Sequence, residues 1–295
     1  MNYLQNFKKL DIKTKKMISG FDSGNFKSAF KGRGLEFAEF KEYEAGEDSK
    51  HIDWLVSARE QRLLTKKYSV DKSIKVFFVL DVGKDMDFGF EKKKLDTLIE
   101  IFFLLGLSSI ENYDEVGALI FSENNYKFLD TKKGKAHIFE IYKNILDING
   151  DKLKTKDKKN DFNLQDIKSV TSFLTKIKLK DTLIFILTDK MDLIGDKNLK
   201  ILSLKNDIIY VNIFDNFENT LDTNTENSGI IGLFGDTKEQ IFIDNLDKEK
   251  KSEYVDLRKQ KIKGFSNYLN TLGIGYLKID NLMNVYKEFF YYFKK

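Results

Sequence analysis

The strongest periodic signal begins at residue 74. Val76-Phe77-Phe78-Val79-Leu80 is an unbroken apolar run that ends at Asp81. A run this short, rich in β-branched and aromatic residues, predicts a strand covered on both faces. Leu95, Leu98, Ile99, Phe102 and Phe103 then recur at helical spacing and predict a helix over 91–112. Val116–Phe121 predicts the next strand, with Tyr126–Thr131 beside it. Ile138, Ile141, Tyr142 and Ile145 predict a helix over 135–148. A Lys/Asp-rich stretch at 149–162 reads as a solvated loop. Beyond it the pattern predicts a helix over 163–178, a strand at Leu183–Leu187 ending in Thr188-Asp189, and a short helix over 197–206. Strand Ile208–Phe214 follows and ends at Asp215. A hairpin is predicted over 230–243, turning near Gly235-Asp236, then a helix over 250–272 and a strand at Tyr276–Ile279. Leu282, Val285, Tyr286, Phe289, Phe290 and Phe293 form the core stripe of a last helix.

Strands alternating with helices in this way predict an α/β fold: a mostly parallel, Rossmann-like sheet with helices on both faces. The preceding segment reads differently. Residues 2–18 predict a basic helix ended by Gly20. Residues 20–34 are loop-like, and 35–72 alternate short extended pieces with turns, most clearly at Ala45-Gly46-Glu47-Asp48. The expected organisation is therefore an N-terminal extension over 1–72 and an α/β domain over 73–295.

Composition narrows the chemistry. The chain has 295 residues, of which 41% are hydrophobic and 33% charged, enough to bury a sizeable core. Its 14% aromatic content argues against disorder. With no cysteine, disulfides, Cys-ligated zinc, iron–sulfur clusters and thiol catalysis are excluded. His51 and His137 are the only histidines, which excludes a multi-His metal site. The 50 basic and 46 acidic residues nearly balance, and only Arg33, Arg59, Arg62 and Arg258 are arginines, so no nucleic-acid partner is expected. No apolar segment follows the N-terminal lysines. The longest apolar run, Ile101–Leu107, falls far short of the roughly 20 residues of a membrane span, so no span and a cytoplasmic location are expected.

In open α/β sheets ligands bind outside the carboxyl ends of the strands. Asp81, Asp189 and Asp215 each end a predicted strand. Three carboxylates on one edge suggest a hard-cation site for Mg2+ or Ca2+; alternatively, each Asp caps the helix that follows. The stretch Asp81-Val82-Gly83-Lys84-Asp85-Met86 resembles the first loop of von Willebrand factor A-like domains, whose metal-ion-dependent adhesion site reads D-x-S-x-S. That resemblance implies a cation held by Asp81, Asp85 and Asp189, with Asn160 or Asp161 standing where such domains carry a Thr. Gly83 offers no side-chain ligand, and Asp85 brings a charge in place of a hydroxyl. Either the carboxylates hold Mg2+, or the site is a degenerate, metal-free remnant.

A second set of motifs precedes the sheet. Gly32-Arg33-Gly34-Leu35-Glu36-Phe37 is followed by Tyr43, then Gly46-Glu47-Asp48-Ser49-Lys50-His51-Ile52-Asp53-Trp54, then Ser57-Ala58-Arg59. These resemble the bacterial "domain of unknown function 58" family, with its G-x-G-x-E-F, Y-x-x-G-D-D-x-R-x-I-D-W and S-A-R motifs ahead of a von Willebrand A-like sheet. Gly89, Asp114-Glu115-Val116-Gly117, Phe121-Ser122 and Gly134 continue the resemblance. Asp215-Asn216-Phe217-Glu218 stands where that family has D-P-R-E. Departures are Glu47 for an Asp, Lys50 for an Arg, and the altered cation loop.

Physically, Gly32 and Gly34 permit backbone closed to other residues. Glu36, Asp48 and Asp53 are suited to pair with Arg59 and Lys50 in a polar network that pins the extension to the sheet. Trp54 would supply a large apolar anchor and is expected in the core, with Phe37 and Tyr43 among the motif positions of the same network. Gly32-Arg33-Gly34 follows no strand and opens no helix, and neither a phosphate-binding G-x-x-x-x-G-K-[ST] loop nor a nucleophile elbow is present. The family resemblance implies a non-enzymatic, protein-binding accessory factor of a MoxR-type AAA+ ATPase. Its rim around Asp81, Asp85, Asn160 and Asp189 would meet the partner. Two alternatives stand beside it. One is a metal-dependent hydrolase or phosphotransfer enzyme using Asp81, Asp85 and Asp189, although Gly83 sits where a D-x-D phosphatase needs its general acid. The other is a structural module with a dead cation site.

Overall fold

The computed structural model describes residues 7–10, 37–43, 52, 54–68, 73–89, 91–123, 125–150, 164, 166–221, 230–234, 240–244 and 248–294. Strand β1 (Phe37–Glu42) pairs antiparallel with β2 (Leu64–Tyr68), and helix α1 (Trp54–Glu60) lies between them in the chain. The main sheet begins with β3 (Lys75–Asp81), followed by a 3-10 turn (Lys84–Asp87) and helix α2 (Lys94–Glu111). Then come β4 (Glu115–Phe121), β5 (Tyr126–Lys132), α3 (Lys135–Asn149), α4 (Ile167–Lys176) and β6 (Thr182–Thr188). Helix α5 (Lys197–Ser203), β7 (Asp207–Phe214) and the short α6 (Asn216–Thr220) follow. A hairpin of β8 (Ile230–Phe234) and β9 (Gln240–Asp244) precedes α7 (Lys248–Thr271), β10 (Gly275–Asp280) and α8 (Val285–Lys294).

The six-stranded sheet runs β10-β7-β6-β3-β4-β5, parallel throughout except for the antiparallel edge strand β5. This is a mixed α/β, Rossmann-like architecture, as the alternation of strands and helices predicts. The chain works outward from β3 through β4 to β5, then crosses back to β6 and continues to β7 and β10. The switch point therefore lies between β3 and β6, whose carboxyl ends carry Asp81 and Thr188-Asp189.

Alternation along β3 divides the core in two. Val76, Phe78 and Leu80 face the cluster built on α2, α3 and α8. Phe77 and Val79 face the cluster built on α4, α5 and α7. All five are fully buried, each burial contributing about 1.5–3 kcal/mol. The helical turn at 7–10 joins the first cluster, where the Phe7 ring lies 5.3 Å from Phe103 and 5.1 Å from Phe139. Among the described residues, no helix is long and apolar enough to cross a membrane.

Several family-motif positions pin these elements. Asp114 is buried, and its carboxylate accepts the Ile74 N–H at 2.9 Å, tying the entrance of β3 to that of β4. Gly89 has φ +150, and a side chain there would run into the Lys92 carbonyl. Tyr43 is half-buried, and its N–H reaches the Leu63 carbonyl at 2.9 Å.

The expectation of a buried Trp54 is corrected: Trp54 is 66% exposed. Within helix α1 only Ser57 is buried, its hydroxyl accepting the Leu64 N–H at 2.8 Å, so this short helix docks through one small polar side chain and leaves its large apolar ones, Trp54 and Leu55, outside. Arg59 is also exposed. Gly32, Gly34, Glu36, Gly46, Asp48, Lys50 and Asp53 lie outside the described residues, as do Asn160 and Asp161, and of Phe37 only the backbone in β1 is described.

Candidate functional site

Adjacent parallel strands bring Asp81 and Asp189 to one edge of the sheet, at the switch point. Asp81 is fully buried. Its Oδ2 accepts from the Thr188 hydroxyl at 2.7 Å and from Lys190 Nζ at 3.0 Å, and its Oδ1 accepts from the Gly83 N–H at 3.1 Å. Burial pushes the Asp81 carboxyl above the usual carboxylate range, with Lys190 pulling it back and Asp189 adding to the rise. Burial would lower the Lys190 ammonium, but Asp81 and Asp189 more than reverse this and hold it above the ordinary lysine range. The Lys190 carbonyl accepts from the buried Tyr210 hydroxyl at 2.5 Å, which fixes the loop that carries the ammonium.

Asp189 is held differently. Lys94, 1% exposed at the first turn of α2, donates to Asp189 Oδ2 at 2.7 Å and to Glu218 Oε1 at 2.8 Å. Glu218 also lies 3.6 Å from Arg258, whose Nε donates to Asn219 Oδ1 at 2.8 Å. Burial works against the charge on Lys94, yet Asp189 and Glu218 together hold its pKa above the ordinary lysine range. Asp81, Asp189 and Glu218 therefore face Lys94, Lys190 and Arg258, three charges against three.

Asp85 opens the 3-10 turn on the exposed lip of the same edge. Partial burial of its carboxyl, then Asp189 and Glu123, raise its pKa against the pull of Lys190 and Lys94. Gly83 has a steric reason to lack a side chain. A Cβ there would stand 2.8 Å from Glu123 Oε1 and 3.2 Å from Asp81 Oδ1. That Glu123 oxygen accepts the Lys84 N–H at 3.1 Å.

One oxygen of each carboxylate, Asp81 Oδ2 and Asp189 Oδ2, already accepts from an ammonium group, while Asp189 Oδ1 is buried without a partner. Among the described residues, no group of three or more His, Asp or Glu side chains stands in metal-holding geometry.

Asp215 follows the capping alternative rather than the cation one. Its Oδ1 accepts the Phe217 N–H at 2.9 Å, while Glu218 reaches back to the Asp215 N–H at 3.2 Å, a capping box. Its Oδ2 also accepts from Asn281 at 2.9 Å, joining β7 to the loop after β10. Thus Asp81, Asp85, Asp189 and Glu218 come together, and Asp215 supports Glu218 from below. Sequence reasoning missed Lys94, Lys190, Thr188 and Arg258. The D-x-x-E spacing at 215–218 was a legible capping signal. Lys94 carried none, since a lysine at a helix start among so many lysines reads as solvated.

Among curated proteins, the uncharacterized protein Rv1480 of Mycobacterium tuberculosis (strain ATCC 25618 / H37Rv) is 23% identical over 137 residues, covering 46% of this chain and 43% of the relative. The uncharacterized protein Mb1516 of Mycobacterium bovis matches to the same extent. The match thus spans less than half the length of these relatives. Residues 39–261, well over half of the chain, match the model of the family described as "Protein of unknown function DUF58". The capping Asp215–Glu218 box, the pinning Asp114 and the constrained Gly89 all lie within that match, and the chain belongs to the DUF58 family.

Proposed function

We propose that this chain is a non-enzymatic, protein-binding accessory factor that works with a MoxR-type AAA+ ATPase in a chaperone-like or complex-maturation role. Its domain would be a von Willebrand factor A-like module with a degenerate cation site. The observation that carries this reading is the state of the edge carboxylates. Asp81 is wholly buried and held by three donors, and Asp189 has one oxygen held by Lys94 and the other buried, so neither is presented as a nucleophile or general base. This weighs against the hydrolase reading.

Around the neutralised carboxylates the edge loops present apolar side chains to solvent. Phe88 follows the 3-10 turn, Ile194 lies in the loop after β6, and Leu282 and Met283 follow β10; all four are exposed. Exposed apolar residues gathered at the ligand-binding edge suit contact with a protein. The partner would be met through these side chains.

The test is direct binding between the purified chain and the MoxR-type ATPase of the same genome, measured by calorimetry together with ATPase rate. Saturable binding that Phe88→Asp and Leu282→Asp weaken, with melting unchanged, is expected. No binding, or binding indifferent to both changes, would overturn the reading.

A further inference from the structure

A second feature lies off the rim, between α6, α7 and β10. A cavity of about 320 Å3 is lined by Asn219, Val255, Arg258, Lys259, Ile262 and Lys278, with Thr220 at its side. Three of these are cations, drawn from a helix and a strand, and none is acidic. Val255 and Ile262 give the cavity apolar wall.

The hydrogen-bonding state of Asn219 is fixed by its neighbour. Arginine only donates, so the Arg258 Nε bond at 2.8 Å sets the Asn219 oxygen toward the guanidinium and turns the amide nitrogen away from it. That nitrogen is buried and has no acceptor. Two residues before Lys278, on the same face of β10, the Tyr276 hydroxyl is likewise buried without a partner. Buried donors in folded proteins are nearly always paired, so the orphan Asn219 amide, in a wall that also carries three cations, indicates an acceptor to come. The acids nearest two of these cations stand at the long end of ion-pair range, Glu218 3.6 Å from Arg258 and Asp256 3.6 Å from Lys259. Burial and then Arg258 push the Lys278 ammonium below its ordinary range, and Asp280 only partly offsets them.

We propose that this cavity binds a small phosphorylated organic anion. The guanidinium and two ammonium groups would meet the phosphate oxygens, which accept several hydrogen bonds and offer none. The Asn219 amide would supply a neutral donor. The space exceeds what a bare phosphate fills, and Val255 and Ile262 would pack on the organic part. Arg258 also touches Glu218, so the site borders the ion-pair chain leading to Asp189. The proposal does not depend on the partner-binding reading of the rim.

The experiment is calorimetric titration of the purified chain, at low ionic strength, with phenyl phosphate, inorganic phosphate and benzoate. Phenyl phosphate should bind one per chain and about tenfold more tightly than either of the others. Asn219→Asp keeps the side-chain shape but replaces the donor with a carboxylate, and Lys278→Met removes a cation. Each should weaken binding by about tenfold or more while melting shows an intact fold. No saturable heat with phenyl phosphate, or equal affinity in the two folded variants, would overturn the proposal. Benzoate binding as tightly as phenyl phosphate would overturn the phosphate class.

Discussion

Asp81 and Asp189 sit at the ends of neighbouring strands, yet they are neutralised in unlike ways. Asp81 lies at the floor of the edge and is served locally. Its cation, Lys190, comes from the loop directly after β6, and Thr188 and the Gly83 N–H add two more donors. Asp189 depends on Lys94 from α2, and Lys94 is shared with Glu218, which leans on Arg258 of α7. The first arrangement is a clamp between two loops. The second is a chain through four parts of the fold, with one buried ammonium serving two carboxylates. The difference teaches where the edge is vulnerable: removing Lys190 leaves one carboxylate with two other donors, whereas removing Lys94 takes the ammonium from two carboxylates at once and leaves Glu218 only Arg258 and the Asp215 N–H.

Lys94→Met should therefore be the most damaging change. It should lower stability by about 3–5 kcal/mol in chemical denaturation, the usual cost of breaking a buried ion pair from one side. Neutralising the two carboxylates as well, with Asp189→Asn and Glu218→Gln, should recover much of that loss. A single variant within about 0.5 kcal/mol of the wild type would mean the chain of ion pairs is not structural.

Lys190→Met should cost less, about 1–3 kcal/mol, because Thr188 and Gly83 still serve Asp81. Its pH dependence sharpens the contrast. Burial already raises the Asp81 pKa and Lys190 restrains it, so without Lys190 it rises further. A carboxyl raised in the folded state costs stability in full above its raised pKa. That cost fades as pH falls toward the ordinary value near 3.9, because the folded chain takes up the proton first. The gap between wild type and Lys190→Met should accordingly narrow on acidification; a constant gap would contradict the assignment. At alkaline pH the sign reverses in origin. Lys94 and Lys190 are both held above the ordinary range, so their stabilisation is complete below about pH 10.4 and is lost as pH climbs through the raised values. Each methionine variant should lack its share of that alkaline loss.

The smallest effect is expected at Gly83. Gly83→Ser restores the hydroxyl of the D-x-S-x-S pattern, but its Cβ needs the place of Glu123 Oε1. Glu123 is a flexible side chain and can withdraw, at the loss of its bond from the Lys84 N–H, so the cost should be about 1 kcal/mol by thermal melting. A stabilised Gly83→Ser would show that Glu123 does not hold this loop.

The strands were legible because an apolar run such as 76–80 leaves a sheet little choice. Asp81 and Asp189 were legible for the same reason, each following a strand whose direction the alternation determines. The cations were not. Lys94 is 95 residues from Asp189 and 124 from Glu218 in the chain, and only the closed fold makes them neighbours. Lys190 stands beside Asp189 in sequence but serves Asp81, because loop geometry rather than adjacency aims its side chain. Trp54 misled because size and apolarity favour burial, while the docking of α1 through Ser57 decides otherwise. The helix over 163–178 was placed correctly, but its start was set by the Asp166–Ser169 capping box.

The central claim is that two internal ammonium groups, not a divalent ion, neutralise the edge carboxylates. Calorimetric titration of the purified, chelator-treated chain with Mg2+ and with Mn2+, alongside thermal melting, tests it most directly. The account predicts no saturable heat and no rise in melting temperature with either ion, since Lys94 and Lys190 already supply positive charge to the two carboxylates. Saturable binding with a rise in melting temperature that Asp81→Asn abolishes would contradict it.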